Sequence, residues 1–239
     1  MLKSLVRRTI RSLGFDLLRY NPAASNDAAF IAALSAHKVN LVFDVGANRG
    51  QFGQSLRDLG YKGRLVSFEP LSTAWNELVE TSRTDPLRSV APRVAIGGED
   101  GETEIHIAAN SKSSSILNML DAHLKAAPES AYVQSEQTPL RRLDTVGPEY
   151  VHADSILFIK IDTQGFEAQV LKGAPNLLQR AVGLHMELSF VPLYEGQPIY
   201  DEMIDQVKAL GFEMWSITPG FTDPQSGRML QADAAFFRG

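Results

Sequence analysis

Five residues, Leu41-Val42-Phe43-Asp44-Val45, run straight into Gly46-Ala47-Asn48-Arg49-Gly50 and then into a helical pattern beginning at Gly50. A short strand that is apolar on both faces belongs in the middle of a sheet covered on both sides. A glycine-bearing turn from strand into helix places a tight backbone where such sheets bind ligands, outside the carboxyl ends of their strands. The turn reads acid-x-Gly-x-x-x-Gly. It is neither the Gly-x-Gly-x-x-Gly of a dinucleotide fingerprint nor a loop ending in Lys-Ser/Thr, so a triphosphate cradle is disfavoured.

The rest of the chain repeats this alternation. Ser25 or Asn26 can cap a helix reaching about Ala36. Helices are expected over 50–59, over 71–82, from Glu167 towards Gly173, and over 200–210. Strands are expected at 64–68, 90–96, 103–108, 156–161, 182–190, 213–217 and 231–237, the last two paired as a hairpin across 223–227. Strands alternating with helices predict right-handed crossovers, a mostly parallel sheet and an antiparallel edge. The polar stretch 109–140, rich in serine at Ser111, Ser113, Ser114 and Ser115 and with a short helical piece near 117–125, breaks the rhythm. Long loops of this kind usually serve function.

The 239 residues carry a net charge of −5 and no cysteine, which excludes disulfides, thiolate metal sites and a cysteine nucleophile. The acidic balance argues against nucleic acid as a partner. Residues 1–20 alone carry +4, from Lys3, Arg7, Arg8, Arg11 and Arg19 against Asp16. Leu2, Leu5, Val6, Ile10, Leu13 and Leu17 fall at helical spacing, predicting an amphipathic helix over 2–18, ended by Asn21-Pro22. It is expected to pack on the main domain or a partner subunit, with peripheral membrane contact as the alternative. The division is then an N-terminal helix over 1–22 and a main domain over 23–239. The segment lacks the apolar core of a signal peptide, and no transmembrane run is found, so a cytoplasmic location is expected.

Three further features converge on strand ends. Phe68-Glu69-Pro70 closes the second strand of the alternation, where a carboxylate can accept hydrogen bonds from both ribose hydroxyls of an adenosine. Together with the 44–50 loop it points to a nucleoside cofactor without a demanding phosphate site, and S-adenosylmethionine fits. Lys160 and Asp162 share one face at the exit of the 156–161 strand, where the lysine needs a partner such as Asp162 or Glu187. His185, Glu187 and Ser189 share one face of the following strand, an unusual polar row for a covered sheet. The histidines do not cluster, so a His-rich metal site is not expected. An oxygen-rich Mg²⁺ site on Asp162 and Glu187 stays open.

The segments Val42-Phe43-Asp44-Val45-Gly46-Ala47-Asn48-Arg49-Gly50, Phe68-Glu69-Pro70, Lys160-Ile161-Asp162-Thr163-Gln164-Gly165-Phe166-Glu167 and Met186-Glu187-Leu188, in that order, resemble the FkbM-type S-adenosylmethionine-dependent methyltransferases, from about residue 38 to the C-terminus. One departure is Gln164, where that family commonly has glutamate. The resemblance implies a class I methyltransferase (Rossmann-like) fold: a seven-stranded, mostly parallel sheet with an antiparallel strand near one edge and helices on both faces. It also implies O-methylation of a hydroxyl on a sugar, glycolipid or polyketide-like small molecule.

On this reading Asp44, Gly46, Ala47, Asn48 and Gly50 hold the amino-acid tail and sulfonium region. Glu69 and Pro70 meet the ribose, Ala95 and Ile96 flank the adenine, and Asp162 lines both cofactor and acceptor. Asp162, His185 and Glu187 are the candidate bases. Ser-rich 109–116 and Tyr194-Glu195-Gly196-Gln197 are expected to shape the acceptor pocket. Two other readings remain: a nicotinamide-dependent oxidoreductase, disfavoured by the glycine spacing, and a non-catalytic nucleoside-binding scaffold or partner subunit.

Overall fold

A computed structural model describes residues 6, 8, 10–14 and 25–239. The N-terminal helix expected over 2–18 lies for the most part outside the described residues. From α1 (Asn26–Ala36) onward the alternation is as expected: β1 (Leu41–Val45), α2 (Gln51–Asp58), β2 (Arg64–Phe68) and α3 (Ser72–Ser82). Ser25 caps α1, its Oγ accepting from Ala28 N at 3.3 Å. The 90–96 strand is corrected to two pieces, β3 (Arg88–Val90) and β4 (Ala95–Ile96), which join different sheets. Pro92 sits between them and has no N–H to continue a ladder.

The chain continues through β5 (Gly101–Ala108), α4 (Asp121–Ala126), β6 (Tyr132–Arg141), α5 (Leu143–Val146), β7 (Leu157–Ile161), α6 (Glu167–Lys172), α7 (Pro175–Arg180), β8 (Ala181–Ser189), α8 (Tyr200–Ala209), β9 (Glu213–Pro219) and β10 (Gln231–Phe237). The main sheet has seven strands in the order β3-β2-β1-β7-β8-β10-β9. Its pairings are parallel from β3 through β8, and β10 runs antiparallel to both β8 and β9. The antiparallel strand is thus inserted beside the edge rather than forming it. This strand order, with helices packed on both faces, is the class I methyltransferase fold.

One face of the sheet packs Phe43, Ile159, Met186 and Phe236 with Leu171, Leu177, Met203 and Val207, which belong to α6, α7 and α8. The other packs Val42, Phe158 and Phe237 with Leu56 of α2 and against Phe30 and Ile31 of α1. Burying each such side chain stabilises by roughly 1.5–3 kcal/mol. At the carboxyl end of this second face the apolar residues give way to the polar row of β7, β8 and β10.

A second sheet, β4-β6-β5, takes its middle strand from the end of the 109–140 stretch that reads as a loop in the sequence. β6 is hidden there because Tyr132 to Arg141 is mostly polar, contains Pro139 and lacks an apolar alternation. It pairs antiparallel with β5 over eight register positions and brings β4 alongside. Among the described residues no helix is long and apolar enough to cross a membrane.

Candidate active site

The carboxyl ends of β1, β2, β7 and β8 open into one cavity of about 530 Å³, a size that suits a small-molecule site. Its lining includes Gly46, Ala47, Asn48, Glu69, Pro70, Ala95, Ile96, Asp162, His185 and Glu187.

The Gly46 turn is held by geometry that other residues cannot adopt. Gly46 has φ +75°, and a Cβ there would lie 1.9 Å from the carbonyl oxygen of Asp162. The first glycine loop and the 160–167 motif, distant in sequence, are therefore packed backbone to backbone. Glu69 follows β2 and is 3% exposed. Its carboxylate accepts from Asn48 N at 2.7 Å and from Leu71 N at 2.9 Å, so it ties the turn after β1 to the tip of β2. A carboxylate oxygen has more lone pairs than these amides use, and both oxygens remain able to accept from a ribose diol.

Two residues expected at the ligand sit elsewhere. Asp44 is fully buried beneath the loop and pairs with Lys160 at 3.0 Å; it does not line the cavity. Gly50 also lies off the lining. It caps α2 with φ +88°, and a Cβ there would strike the Arg88 guanidinium at 2.0 Å, so its requirement for glycine comes from packing.

Lys160 anchors the floor. Its Nζ donates to Gly46 O at 2.9 Å, pairs with Asp44, and approaches Asp162 at 3.4 Å. Burial works against its charge, but Asp44 and Asp162 outweigh burial and raise its pKa. Strand spacing points to Asp162 or Glu187 as its partner; in the structure Asp44 is the closest carboxylate.

Gln164, the residue that departs from the family pattern, bridges two candidate bases. Its Nε2 donates to Asp162 Oδ1 at 2.8 Å and to Glu187 Oε2 at 3.0 Å, and its Oε1 accepts from Tyr194 Oη at 2.8 Å. Ser115 Oγ donates to the Gln164 carbonyl at 2.7 Å, fastening the serine-rich loop to this turn. The turn is shaped by Glu167, whose Oε1 accepts from Thr163 N and Gly165 N. With an amide shared between Asp162 and Glu187, the Mg²⁺ site that the sequence leaves open gains no support. Among the described residues no three His, Cys, Asp or Glu side chains are grouped to hold a metal ion.

His185 lies across from Lys160 in the parallel register of β7 and β8, with Phe30 and Phe52 ring centroids at 5.3 and 5.6 Å. Burial and the Lys160 charge lower its pKa to about 4, so it is neutral at pH 7 and a weak base. Tyr194 does not line the cavity as expected. It is buried behind the wall, its Cβ 3.0 Å from where a Cβ on Gly165 would fall, and Glu195 accepts from Asn118. The 110–116 loop does line the cavity. Sequence reasoning missed Phe52, His123, Gln231 and Asp233, all on the lining. Gln231 and Asp233 could have been found by the alternation that flags His185 and Glu187, because Ala232, Ala234 and Phe236 take the other face of β10.

Four carboxyls are held above their ordinary range. Burial pushes Glu69 and Glu167 up to about 7 and Asp233 up to about 6; burial, Asp162 and Glu167 hold Glu187 well above 4.5. Folding raises these values, so the folded state binds the extra protons. Their stabilisation is complete at low pH and is lost as pH rises through the folded values. His185 has the opposite sign: its contribution is lost as pH falls from 6.5 towards 4. Four groups outweigh one between pH 6 and 8, and the ligand-free protein is expected to melt at a lower temperature at pH 8 than at pH 6. A scanning-fluorimetry Tm that climbs across that window would contradict the assignment.

A family model described as a methyltransferase FkbM domain matches residues 44–214. The chain belongs to the FkbM methyltransferase family. The match spans the Gly46 loop, Glu69, the 160–167 turn and β8, which enclose the cavity on every side but that of β10 and Phe221. No curated protein matches this FkbM methyltransferase in sequence.

Solved structures are similar at low identity. Magnesium protoporphyrin IX methyltransferase (ChlM) from Synechocystis PCC 6803, with bound SAM, is 11% identical with a TM-score of 0.47; the match covers 99% of this chain and 97% of that one. An rRNA methylase from Streptococcus thermophilus is 10% identical with a TM-score of 0.45, covering 93% and 99%. These likenesses do not bear on the acceptor. The FkbM chain is an S-adenosylmethionine-dependent methyltransferase, and the residues present fit that cofactor. Glu69 offers a buried acceptor pair, and the Gly46 turn presents backbone free of a side chain beside it.

Proposed function

We propose that the protein transfers a methyl group to a hydroxyl oxygen of a small, hydroxyl-rich acceptor such as a sugar, glycolipid or polyketide-like molecule. The observation that carries this reading is the continuity of one cavity from Glu69, at the tip of β2, to a wall of carboxylates and amides at the ends of β7, β8 and β10. Asp162, Gln164, Glu187 and Gln231 present acceptors and donors suited to hydroxyl groups, while the acidic lining and the net charge of −5 disfavour phosphates and nucleic acid.

S-adenosylmethionine, when bound, supplies a methyl on a positively charged sulfur that is already a good leaving group. The chain's own contribution is then position and proton management. Glu69 would orient the ribose through two hydrogen bonds, with Ala95 and Ile96 as an apolar wall and Asn48 and Ala47 beside the loop. Lys160 keeps the Gly46 carbonyl and Asp162 in fixed relation, and Gln164 holds Asp162 and Glu187 against each other. Phe30 and Phe52 close the face around His185 and limit access of water.

Hydrogen bonds to a charged group are each worth about 1.5–3 kcal/mol, and at pH 8, above its raised pKa of about 7, Glu69 is ionised. Glu69→Ala is therefore expected to weaken S-adenosylmethionine binding by ~10²-fold or more, read by titration calorimetry. An unchanged affinity removes the ribose assignment. The acceptor is found by incubating the enzyme and methyl-deuterated S-adenosylmethionine with glycan and lipid extracts. A product gaining the deuterated methyl mass on oxygen supports the reading, and transfer confined to nitrogen, carbon or nucleic acid overturns it.

A further inference from the structure

The cavity wall contains a carboxylate that no feature of the family motifs marks. Asp233 lies on β10 in register with Glu187 on β8 and with Thr218 on β9. It lines the cavity beside the candidate bases. The other strand-end carboxylates are already engaged. Glu69 accepts from two backbone amides. Asp162 accepts from Gln164 and is approached by Lys160. Glu187 accepts from Gln164 and, at 2.6 Å, from Gln231. The Asp233 carboxylate takes no hydrogen bond from any described residue, while Gln231, two residues before it, donates its amide to Glu187 and Ser189.

We propose that Asp233 is the catalytic base of this enzyme, accepting the proton of the acceptor hydroxyl on an oxygen that the protein leaves open. The proposal rests on the reading of hydroxyl methylation above. As the acceptor oxygen forms the new C–O bond, the C–S bond breaks and its electron pair stays on sulfur. The hydroxyl proton passes to a carboxylate oxygen of Asp233, which returns it to solvent. A base serves best when its pKa lies near the working pH. Burial and the charge of Asp162 lift Asp233 to about 6, and Lys160 limits the rise, so the group is ionised at pH 7 yet far more basic than an exposed aspartate. The charged and titratable groups around it are Lys160 on β7, Asp162 just after that strand, and Glu187 and His185 on β8; β9 contributes the uncharged Thr218. His185, held at about 4, is the weaker competitor.

The test compares wild type with Asp233→Asn and Asp233→Glu, using the extract fraction that gains the deuterated methyl. Wild-type kcat/KM is expected to rise with pH through a limb near 6. Asp233→Asn should lower turnover by ~10²–10⁴-fold and erase that limb, and Asp233→Glu should restore part of both. Calorimetric binding of S-adenosylmethionine should stay within about threefold of wild type in both variants, a result that separates this role from damage to the fold. Asp233→Asn turning over at the wild-type rate with its limb intact would overturn the proposal. So would a parallel loss of cofactor binding, which would make Asp233 part of the cofactor site. Absence of methyl transfer to oxygen in wild type overturns the hydroxyl reading first, and this assignment with it.

Discussion

Gly46→Ala is expected to remove about 3 kcal/mol or more of folding stability and to abolish measurable S-adenosylmethionine binding. Two effects add. An L-residue at φ +75° costs roughly 1–2 kcal/mol by itself. The new methyl would also sit 1.9 Å from a backbone carbonyl oxygen, that of Asp162, and a backbone atom at a strand end cannot swing aside as a long side chain can. Relief requires β1 and β7 to separate where their loops meet, which displaces Asn48 from Glu69 and Lys160 from the Gly46 carbonyl. Gly60 gives the matched control. It has φ +91° and nothing within 4 Å of where a Cβ would fall, so Gly60→Ala should show only the conformational share of the loss. Urea denaturation of the two variants measures both costs; equal losses would show that the contact with Asp162 is immaterial.

Lys160→Met is expected to destabilise by about 3–5 kcal/mol, the usual loss when one member of a buried ion pair is deleted. Asp44 is fully buried, and Lys160 is its one charged neighbour within 4 Å among the described residues. Removing the ammonium strands that carboxylate and deprives the Gly46 carbonyl of its donor. The double variant Asp44→Asn/Lys160→Met should recover much of the stability, because an unpaired charge no longer has to be buried. A denaturation midpoint for Lys160→Met equal to wild type would mean that water reaches Asp44 and that the pair is not sealed.

The parts of the fold legible in the sequence are those with strong period and punctuation. β1, β2 and β7 are short apolar runs ending at glycine, proline or an acid, and their positions follow from that pattern. β6 is not legible, because a strand with both faces partly exposed needs no apolar alternation. The same holds for the site. Glu69, Asp162 and Glu187 announce themselves as acids at strand exits. Asp44 carries the same signal and yet lies below the cavity, since the residue that decides its role, Lys160, arrives from a strand more than a hundred positions away. Asp233 escapes notice for the converse reason: nothing next to it in the chain resembles a motif, and only the pairing of β10 with β8 carries it to Glu187.

Gln164 touches both sides of the cavity at once. Its side chain spans Asp162 and Glu187 below and Tyr194 behind, while its backbone oxygen secures Ser115 in the serine-rich loop. Charge at the floor and the fastening of the roof are thereby vested in a single residue. Gln164→Glu would set three carboxylates against one another where one amide now mediates, yet the backbone oxygen that secures Ser115 is common to every residue, so drift at this position can recast the charge of the floor while leaving the cover above it fastened.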